Sequence, residues 1–212
     1  MSLDYTLAVT SCDRHDLLAR TIESFFEHAD IEPAHTMILE DGQAIRPSWM
    51  DADEWYTNEG SRLGQIKSCD RLMSLVETEW VFWCEDDWLF KEGDFIQRSY
   101  DILSGWPEIF TVGLRGRAWN HPLVAVPEYP FLIAEPGWNQ GWGGMAFNPG
   151  LRRKSDYLKM GPYAQVGTAM YACQSELALS KQYLAAGYRI ADLGHPIIEH
   201  LGHGRSKAKE KF

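Results

Sequence analysis

Three consecutive carboxylates, Glu85, Asp86 and Asp87, follow directly after an apolar run at 80–84. Such a run is typical of a buried strand, in which successive side chains point to opposite faces. We therefore expect Glu85 and Asp87 on one face and Asp86 on the other. Adjacent acids repel one another, and Mg²⁺ or Mn²⁺ takes carboxylate oxygens and often completes its coordination with substrate phosphates. The triplet predicts a site for a divalent cation and a diphosphate; the alternative is an acidic turn open to solvent.

Length and composition limit the kinds of protein this chain can be. With 212 residues, 45% of them hydrophobic and 13% aromatic, it can form one domain with a sizeable core, or one domain with a small appendage. The formal charge of −10 argues against a nucleic-acid partner and against an anionic membrane surface.

The cysteines and apolar runs indicate the compartment. The four cysteines contain no CxxC pair, so we expect reduced thiols and no structural zinc. The first residues show no basic segment followed by an apolar one, and no apolar run is long enough to span a bilayer. We therefore expect a cytoplasmic protein without a transmembrane segment, and peripheral contact with a membrane stays open.

Strand-like and helical patterns alternate through the first half of the chain. Strand patterns occupy 5–10, 37–39, 80–84 and 109–114, segment 54–60 fits a short strand and a turn, and helical patterns occupy 14–28, 63–76 and 95–103. The first strand, helix and second strand predict a βαβ unit with parallel strands. No GxGxxG separates the first strand from its helix, so the dinucleotide-binding fingerprint is absent. Ligands of open α/β sheets bind at the carboxyl ends of strands, where this chain places polar clusters.

The second half differs in composition. Residues 115–150 are rich in Trp, Pro and Gly. Strand patterns occupy 131–133, 145–147 and 188–190, a turn occupies 148–150, and a helix that Gly187 ends occupies 176–186. The last residues contain His200 and His203, followed by a basic tail.

Taken in order, these features resemble the nucleotide-sugar-dependent glycosyltransferases of the GT-A fold, in particular family-2-like members, over most of the chain. The segments that carry the resemblance are 7–14, Glu40 with Asp41, 84–88, 175–190 and His200. Segment 84–88 is similar to the DxD metal motif of that family. Segment 175–190 is similar to the one that supplies the base in inverting members, although Ser175 replaces one acid of the usual pair. The QxxRW motif of processive polysaccharide synthases is absent.

The resemblance implies a single GT-A domain over 1–212, built on a Rossmann-like α/β fold with a mixed, mostly parallel sheet flanked by helices. Residues 1–114 would bind nucleotide and metal, and residues 115–212 the acceptor. The implied reaction is metal-dependent, inverting transfer of a sugar from a UDP- or GDP-linked donor to an acceptor hydroxyl. The acceptor would be a glycan, a lipid-linked sugar or a small molecule.

The resemblance also implies roles for particular residues. Glu85, Asp87 and His200 would hold Mn²⁺ or Mg²⁺, and Glu176 would be the general base that deprotonates the acceptor. The residues expected to bind the nucleotide-sugar are Thr10, Asp13, Arg14, Glu40, Asp41, Gln65, Ser68, Asp86 and Arg205. The acceptor is expected at Trp138, Trp142 and Gly143, because an aromatic ring packs well against the apolar face of a sugar.

Several of these assignments have an ordinary structural alternative. Asp13 is a residue type that caps helices, and Asp41 with the following glycine is a common turn pair. Gln65 and Ser68 fit a solvated helix face. Glu176 fits the first turn of a helix, where the helix dipole favours an acid, and the basic tail fits a solvated terminus.

Other functions also fit parts of the sequence. A nucleotidyltransferase has a similar strand order and metal, but typically carries a glycine-rich, basic loop where this chain has residues 11–14. A non-catalytic carbohydrate-binding protein would explain the nine tryptophans but neither the βαβ unit nor the acid triplet. A transferase-like protein that binds nucleotide without turnover is a further alternative.

Overall fold

Two sheets flanked by five helices form the part of the chain that the structure, a computed structural model, describes: residues 3–58, 61–116, 121–136, 145–166 and 172–202. The helices are α1 (His15–His28), α2 (Gln65–Leu75), α3 (Phe95–Gly105), α4 (Lys154–Met160) and α5 (Ala172–Ala185), with a 3₁₀ turn at Tyr163–Gln165. The strands are β1 (Tyr5–Ser11), β2 (His35–Glu40), β3 (Glu54–Thr57), β4 (Trp80–Glu85), β5 (Trp88–Phe90), β6 (Ile109–Gly113), β7 (Leu123–Ala125), β8 (Leu132–Ala134), β9 (Gly150–Arg153), β10 (Arg189–Asp192) and β11 (Ile198–His200).

The larger sheet has the strand order β3-β2-β1-β4-β9-β6-β10-β8-β7. β1 pairs in parallel with β2 and β4, β2 pairs in parallel with β3, and β6 pairs in parallel with β10. β9 is antiparallel to both β4 and β6, so all of these strands except β9 run the same way. Their carboxyl ends lie along one edge of the sheet, here called the carboxyl edge. The predicted βαβ unit and the mixed, mostly parallel α/β sheet are confirmed.

Side chains of β4 supply apolar layers on both faces of the sheet. Phe82 packs on the side of α1 and α3, where its ring lies 5.1 Å from that of Phe25 and 5.6 Å from that of Phe95. Trp83 faces the opposite layer with Leu72 and is wholly buried. A central strand that is apolar on both faces is what a sheet covered by helices on both sides requires. The packing fixes the carboxyl end of β4, where the acids begin.

The acid triplet is arranged differently from the prediction. β4 ends at Glu85, and Asp86 and Asp87 form the turn that leads into β5. The expected alternation of the three acids is wrong, because the strand stops before it can place Asp86 and Asp87 on opposite faces.

The predicted strand at 145–147 is also wrong. Side chains of α5 bind its backbone instead: the N–H of Met145 donates to Ser180 Oγ (3.0 Å) and that of Phe147 to Glu176 Oε1 (2.9 Å). The strand is β9, which begins within the predicted turn. A Cβ at Gly150 would lie only 2.8 Å from the Thr111 side chain, so a glycine is needed where β9 crosses β6.

Candidate functional site

An arginine at the start of α1 joins Asp86 and Asp87, which form the turn between β4 and β5, here called the acid turn. Arg14 Nη1 lies 2.8 Å from Asp87 Oδ2 and Nε lies 3.1 Å from Asp86 Oδ2, while Nη2 donates to Asp86 Oδ1. Asp86 also accepts hydrogen bonds from Ser11 Oγ (3.1 Å) and the N–H of Cys12 (3.3 Å). Burial raises the pKa of Asp86 to about 6, although the charge of Arg14 lowers it. Both oxygens are engaged inside the protein, which points to a positioning role for Asp86 rather than to the predicted contact with the nucleotide-sugar.

The smaller sheet brings His200 to the acid turn. β11 pairs antiparallel with β5, with His200 opposite Trp88, and the N–H of Leu201 donates to the carbonyl of Asp87 (2.8 Å). His200 Nε2 lies 3.3 Å from Asp87 Oδ2, and the imidazole lies 4.8 Å from the indole of Trp88. A Cβ at Gly202 would overlap Asp87 Oδ2, so the chain passes directly beside this carboxylate. The Asp87–His200 pair is therefore held by backbone pairing on both sides.

The chemistry of the Asp87–His200 pair fits a divalent cation. Asp87 Oδ1 is buried and has no hydrogen-bond partner. Burial raises the pKa of Asp87, but the hydrogen bond with His200 and the charge of Arg14 outweigh burial and hold it below the usual value. An ionised carboxylate and an imidazole suit Mn²⁺ and leave coordination positions for phosphates and water. Among the described residues, no three Asp, Glu, His or Cys side chains lie close enough to enclose a cation by themselves.

Glu85 lies beside this pair without completing a group of three ligands. Its Oε1 accepts a hydrogen bond from the amide of Gln65, and its Oε2 lies 3.5 Å from Nε1 of Trp88. Burial raises the pKa of Glu85 well above its usual range, and the charges of Asp87 and Glu176 raise it further. Gln65 therefore lies next to the acid turn. Both carboxylate oxygens of Glu85 contact neighbouring side chains, those of Gln65 and Trp88.

The loops that follow β1 and β2 are locked together at the carboxyl edge. Glu40 is wholly buried and accepts hydrogen bonds from the N–H groups of Asp13 (2.9 Å) and Gly42 (2.6 Å). Asp13 in turn accepts hydrogen bonds from the N–H groups of Gln43 (2.7 Å) and Ala44 (3.0 Å). Asp13 therefore does not cap α1, whose first turn has no side-chain cap. The two carboxylates hold the two loops together beside the acid turn.

Asp41 braces the start of α2. Its carboxylate accepts hydrogen bonds from the N–H groups of Leu63 (2.7 Å) and Gly64 (2.8 Å), immediately before Gln65 begins the helix. Ser68 is buried, and its Oγ has no hydrogen-bond partner. A solvated helix face is therefore the wrong description for Ser68, and Asp41 does more than close a local turn.

Glu176, on α5, lies near Glu85 at the end of β4. Its Oε1 accepts the hydrogen bond from Phe147, and its charge is among the causes that raise the pKa of Glu85. Burial raises the pKa of Glu176, while that hydrogen bond and the charges of Arg152 and Arg115 lower it. α5 begins earlier than predicted, so Glu176 does not lie in its first turn and the helix-dipole alternative is wrong.

Two arginines near this edge were not predicted from the sequence. Arg115 follows β6, and its guanidinium carbon lies 5.3 Å from the centre of the Trp88 indole. Arg152 in β9 is buried and donates to the carbonyls of Ala146 (2.9 Å) and Asn148 (3.2 Å). The end of the strand pattern at 109–114 is a signal that would have found Arg115. Arg152 gives no such signal, because the basic run at 152–154 looks like an exposed segment.

The carboxyl edge thus gathers most of the predicted site. The residues at or next to it are Thr10, Asp13, Arg14, Glu40, Asp41, Gln65, Ser68, Glu85, Asp86, Asp87, Glu176 and His200. The predicted residues Trp138, Trp142, Gly143 and Arg205 lie outside the described residues, as does His203. A separate groove of about 720 Å³, lined by Arg98 and Trp106 among others, lies between α3 and the β7–β8 hairpin.

The arrangement of strands and helices is similar to that of solved glycosyltransferases. The structure of GalNAc-T7 with UDP, GalNAc and Mn²⁺ aligns over 94% of this chain and 43% of that chain, with a TM-score of 0.67 and 9% identity. The structure of S. aureus TarS 1–349 in complex with UDP-GlcNAc aligns over 96% of this chain and 62% of that chain, with a TM-score of 0.64 and 12% identity. This chain has the GT-A fold.

At identities of 9% and 12%, the likeness of this GT-A chain to its structural neighbours shows the fold alone. By sequence, the GT-A chain matches no protein-family profile and no curated protein. It spans 43% of the length of the GalNAc-T7 chain and 62% of that of the TarS chain. None of the described helices is both long and apolar enough to cross a membrane.

Proposed function

We propose that this GT-A chain is a metal-dependent glycosyltransferase that moves a sugar from a UDP- or GDP-linked donor to an acceptor hydroxyl, with inversion. The observation that carries the proposal is the Asp87–His200 pair at the carboxyl edge, with the unpartnered Asp87 Oδ1 and with Glu176 near Glu85. Solved neighbours contain UDP with Mn²⁺, or UDP-GlcNAc, which supports a nucleotide-sugar donor.

The nucleotide would lie over the loops after β1 and β2, so that residues 1–114 bind nucleotide and metal. Glu40, Asp41 and Asp13 brace these loops with their carboxylates, and Thr10 and Gln65 lie beside them, so together they would shape the surface that receives the donor. Ser68 would support them from the next turn of α2, and the predicted Arg205 would close over the diphosphate from the C-terminal tail. Arg14 and Asp86 would act by holding Asp87 in place.

Asp87 and His200 would hold Mn²⁺ or Mg²⁺ against the diphosphate of the donor. When bound, the cation offsets the negative charge that develops on the diphosphate as the bond to the sugar breaks. His200 and Arg14 keep Asp87 ionised, and Arg14 holds its carboxylate in place, so the carboxylate would need little rearrangement to bind a cation. Glu85 would line the site beside Asp87, positioned by its contacts with Gln65 and Trp88.

Glu176 would act as the general base. Its carboxylate would take the proton of the acceptor hydroxyl while the oxygen attacks the anomeric carbon from the face opposite the departing diphosphate, which inverts the configuration. Burial raises the pKa of Glu176 and so strengthens it as a base, while the hydrogen bond from Phe147 favours the ionised form.

The acceptor would lie on the side formed by residues 115–212, with Trp138, Trp142 and Gly143 stacking against its sugar rings. A glycan, a lipid-linked sugar or a small molecule fits this class, and a lipid-linked acceptor would bring peripheral contact with a membrane. The free thiols of Cys12, Cys69 and Cys84 suit a reducing compartment, and we propose the cytoplasm.

Calorimetric titration of UDP and GDP, each with and without Mn²⁺, tests the nucleotide–metal site. The proteins are the wild type, Asp87→Ala and a control, Asp4→Ala, whose exposed carboxylate precedes β1 at the opposite edge of the sheet. Metal-dependent binding in the wild type and the control, lost in Asp87→Ala, is the expected result. Whether UDP or GDP binds then identifies the nucleobase of the donor. Failure of the wild type to bind either nucleotide under any metal condition would contradict the proposal.

A further inference from the structure

Arg115 is a half-buried guanidinium without a polar partner at the carboxyl edge. Among the described residues it has no hydrogen bond and no ion pair; its contact is with the indole of Trp88, at 5.3 Å. The attraction of Glu176 acts on it only at longer range. Because no side chain of the described residues occupies its donors, this guanidinium is available to bind an anion that enters the carboxyl edge.

The place of Arg115 relative to the Asp87–His200 pair indicates which anion that is. The indole of Trp88 contacts the His200 imidazole at 4.8 Å as well as the Arg115 guanidinium, so both side chains border one buried ring. In the strand order, the loops proposed for the nucleotide follow β2 and β1, the Asp87–His200 pair follows β4, and Arg115 follows β6. A nucleoside diphosphate that extends from those loops across the pair points its distal phosphate toward Arg115.

We propose that Arg115 binds the distal phosphate of the nucleoside diphosphate, the group that leaves when the sugar is transferred. This inference rests on the proposed glycosyltransferase function. The planar fork of a guanidinium donates two parallel hydrogen bonds to phosphate oxygens, which an ammonium group cannot reproduce. The same contact stabilises the negative charge that the phosphate gains as the sugar departs. In a chain with a formal charge of −10, such a group offsets repulsion of the diphosphate.

A different role for Arg115 is to offset only the charge of Glu176. The contacts argue against it as the main role, because the two side chains form no ion pair and Glu176 Oε1 already accepts the N–H of Phe147. The two roles give different predictions for binding. A phosphate contact distinguishes a diphosphate from a monophosphate, whereas a counter-charge for Glu176 does not.

The test is calorimetric titration of UDP and UMP in Mn²⁺, or of GDP and GMP where the guanine nucleotide binds. Arg115→Gln is expected to weaken the diphosphate about tenfold or more and the monophosphate less than about threefold. Arg115→Lys keeps the charge but loses the fork, and an intermediate loss for the diphosphate is expected. The control is Arg98→Gln, which changes a half-buried arginine in the separate groove and should leave both affinities unchanged.

An unchanged diphosphate affinity in Arg115→Gln, or equal losses for both nucleotides, would overturn the assignment while leaving the glycosyltransferase proposal in place. A wild type that binds neither nucleotide would instead contradict that proposal and this one with it. Thermal unfolding establishes that each variant is folded. If Arg115→Gln does not fold, Arg115→Lys decides: a loss confined to the diphosphate supports the contact, and no loss overturns it.

Discussion

The Nε2 atom of His200 lies 3.3 Å from the Oδ2 atom of Asp87, where two strands from distant parts of the chain meet. Backbone pairing brings the two together, because β11 lies along β5 and the N–H of Leu201 donates to the carbonyl of Asp87. The candidate metal site is therefore built into the smaller sheet.

Gly202→Ala should disturb this site. A Cβ at Gly202 would overlap Asp87 Oδ2 and lie 3.0 Å from His200 Nε2, so the carboxylate or the backbone must shift. We expect the affinity for Mn²⁺ in the presence of nucleotide to fall by about tenfold, comparable to the cost of overpacking elsewhere. Electron paramagnetic resonance of free Mn²⁺ measures this. The control is Gly105→Ala at the end of α3, where a Cβ meets no atom within 4 Å; equal affinities in the two variants would contradict the expectation.

Arg14→Ala should destabilise the fold. Arg14 is the charged partner of Asp86, whose side chain is only 1% exposed, so its removal leaves a buried carboxylate uncompensated. The expected loss in free energy of unfolding is about 3 kcal/mol, measured by chemical denaturation. Arg20→Ala, at an exposed position of the same helix, should change it by less than about 0.5 kcal/mol. Similar losses in both variants would show that Arg14 does not stabilise Asp86.

The fold was largely predictable because its first half consists of regular periodic patterns. β1, α1 and β2 carry apolar residues at strand and helix spacing, and the parallel pairing follows from their order. β9 was not predictable, since Arg152 and Arg153 make it look exposed; burial of Arg152 depends on carbonyls of 146–148 that become available only in the folded chain. The apolar run at 80–84 located the end of β4 to within one residue, but the turn formed by Asp86 and Asp87 was not predicted.

The candidate site was predictable in its residues but less so in their partners. The position of acids after strand patterns located Glu40, Glu85 and Asp87 at one edge, because parallel strands end together. Contacts between side chains from different loops do not follow from spacing. That Arg14 binds Asp86 and Asp87, and that Arg115 lies over Trp88, depends on how helices and loops pack in three dimensions.

Asp192 should make stability depend on pH. Burial raises its pKa from 3.8 to about 6, and its Oδ2 has no hydrogen-bond partner. The folded state therefore holds the proton more tightly than the unfolded state, so this group favours folding at low pH and loses that contribution as pH rises from 3.8 to about 6. The loss is about 3 kcal/mol.

Asp192→Asn removes this titration and keeps the acceptor for the N–H of Gly194. Urea denaturation across the pH range should show a shallower decline in the variant than in the wild type. Glu85 and Asp86, whose pKa values are also raised, titrate in both proteins, so the difference isolates Asp192. Parallel pH profiles would contradict the assignment.

Glu176→Gln should abolish transfer while leaving nucleotide binding intact. Loss of a general base lowers the rate by about 10²-fold or more. Because burial raises the pKa of Glu176, the wild-type rate should increase as pH rises through that pKa, and the variant should lack this dependence. Release of nucleoside diphosphate from the donor measures the rate. The control is Glu23→Gln, at an exposed position of α1; unchanged turnover in Glu176→Gln would exclude the role.

Release of UDP or GDP from a panel of their sugar conjugates, with water as the acceptor when no other is supplied, tests directly whether the protein is a metal-dependent transferase. Wild-type protein in Mn²⁺ is expected to release the nucleoside diphosphate from at least one donor, and EDTA or Asp87→Ala should reduce that rate by about 10²-fold or more. Turnover that is the same in EDTA and in Asp87→Ala as in Mn²⁺-loaded wild type would contradict a metal-dependent transferase centred on the Asp87–His200 pair.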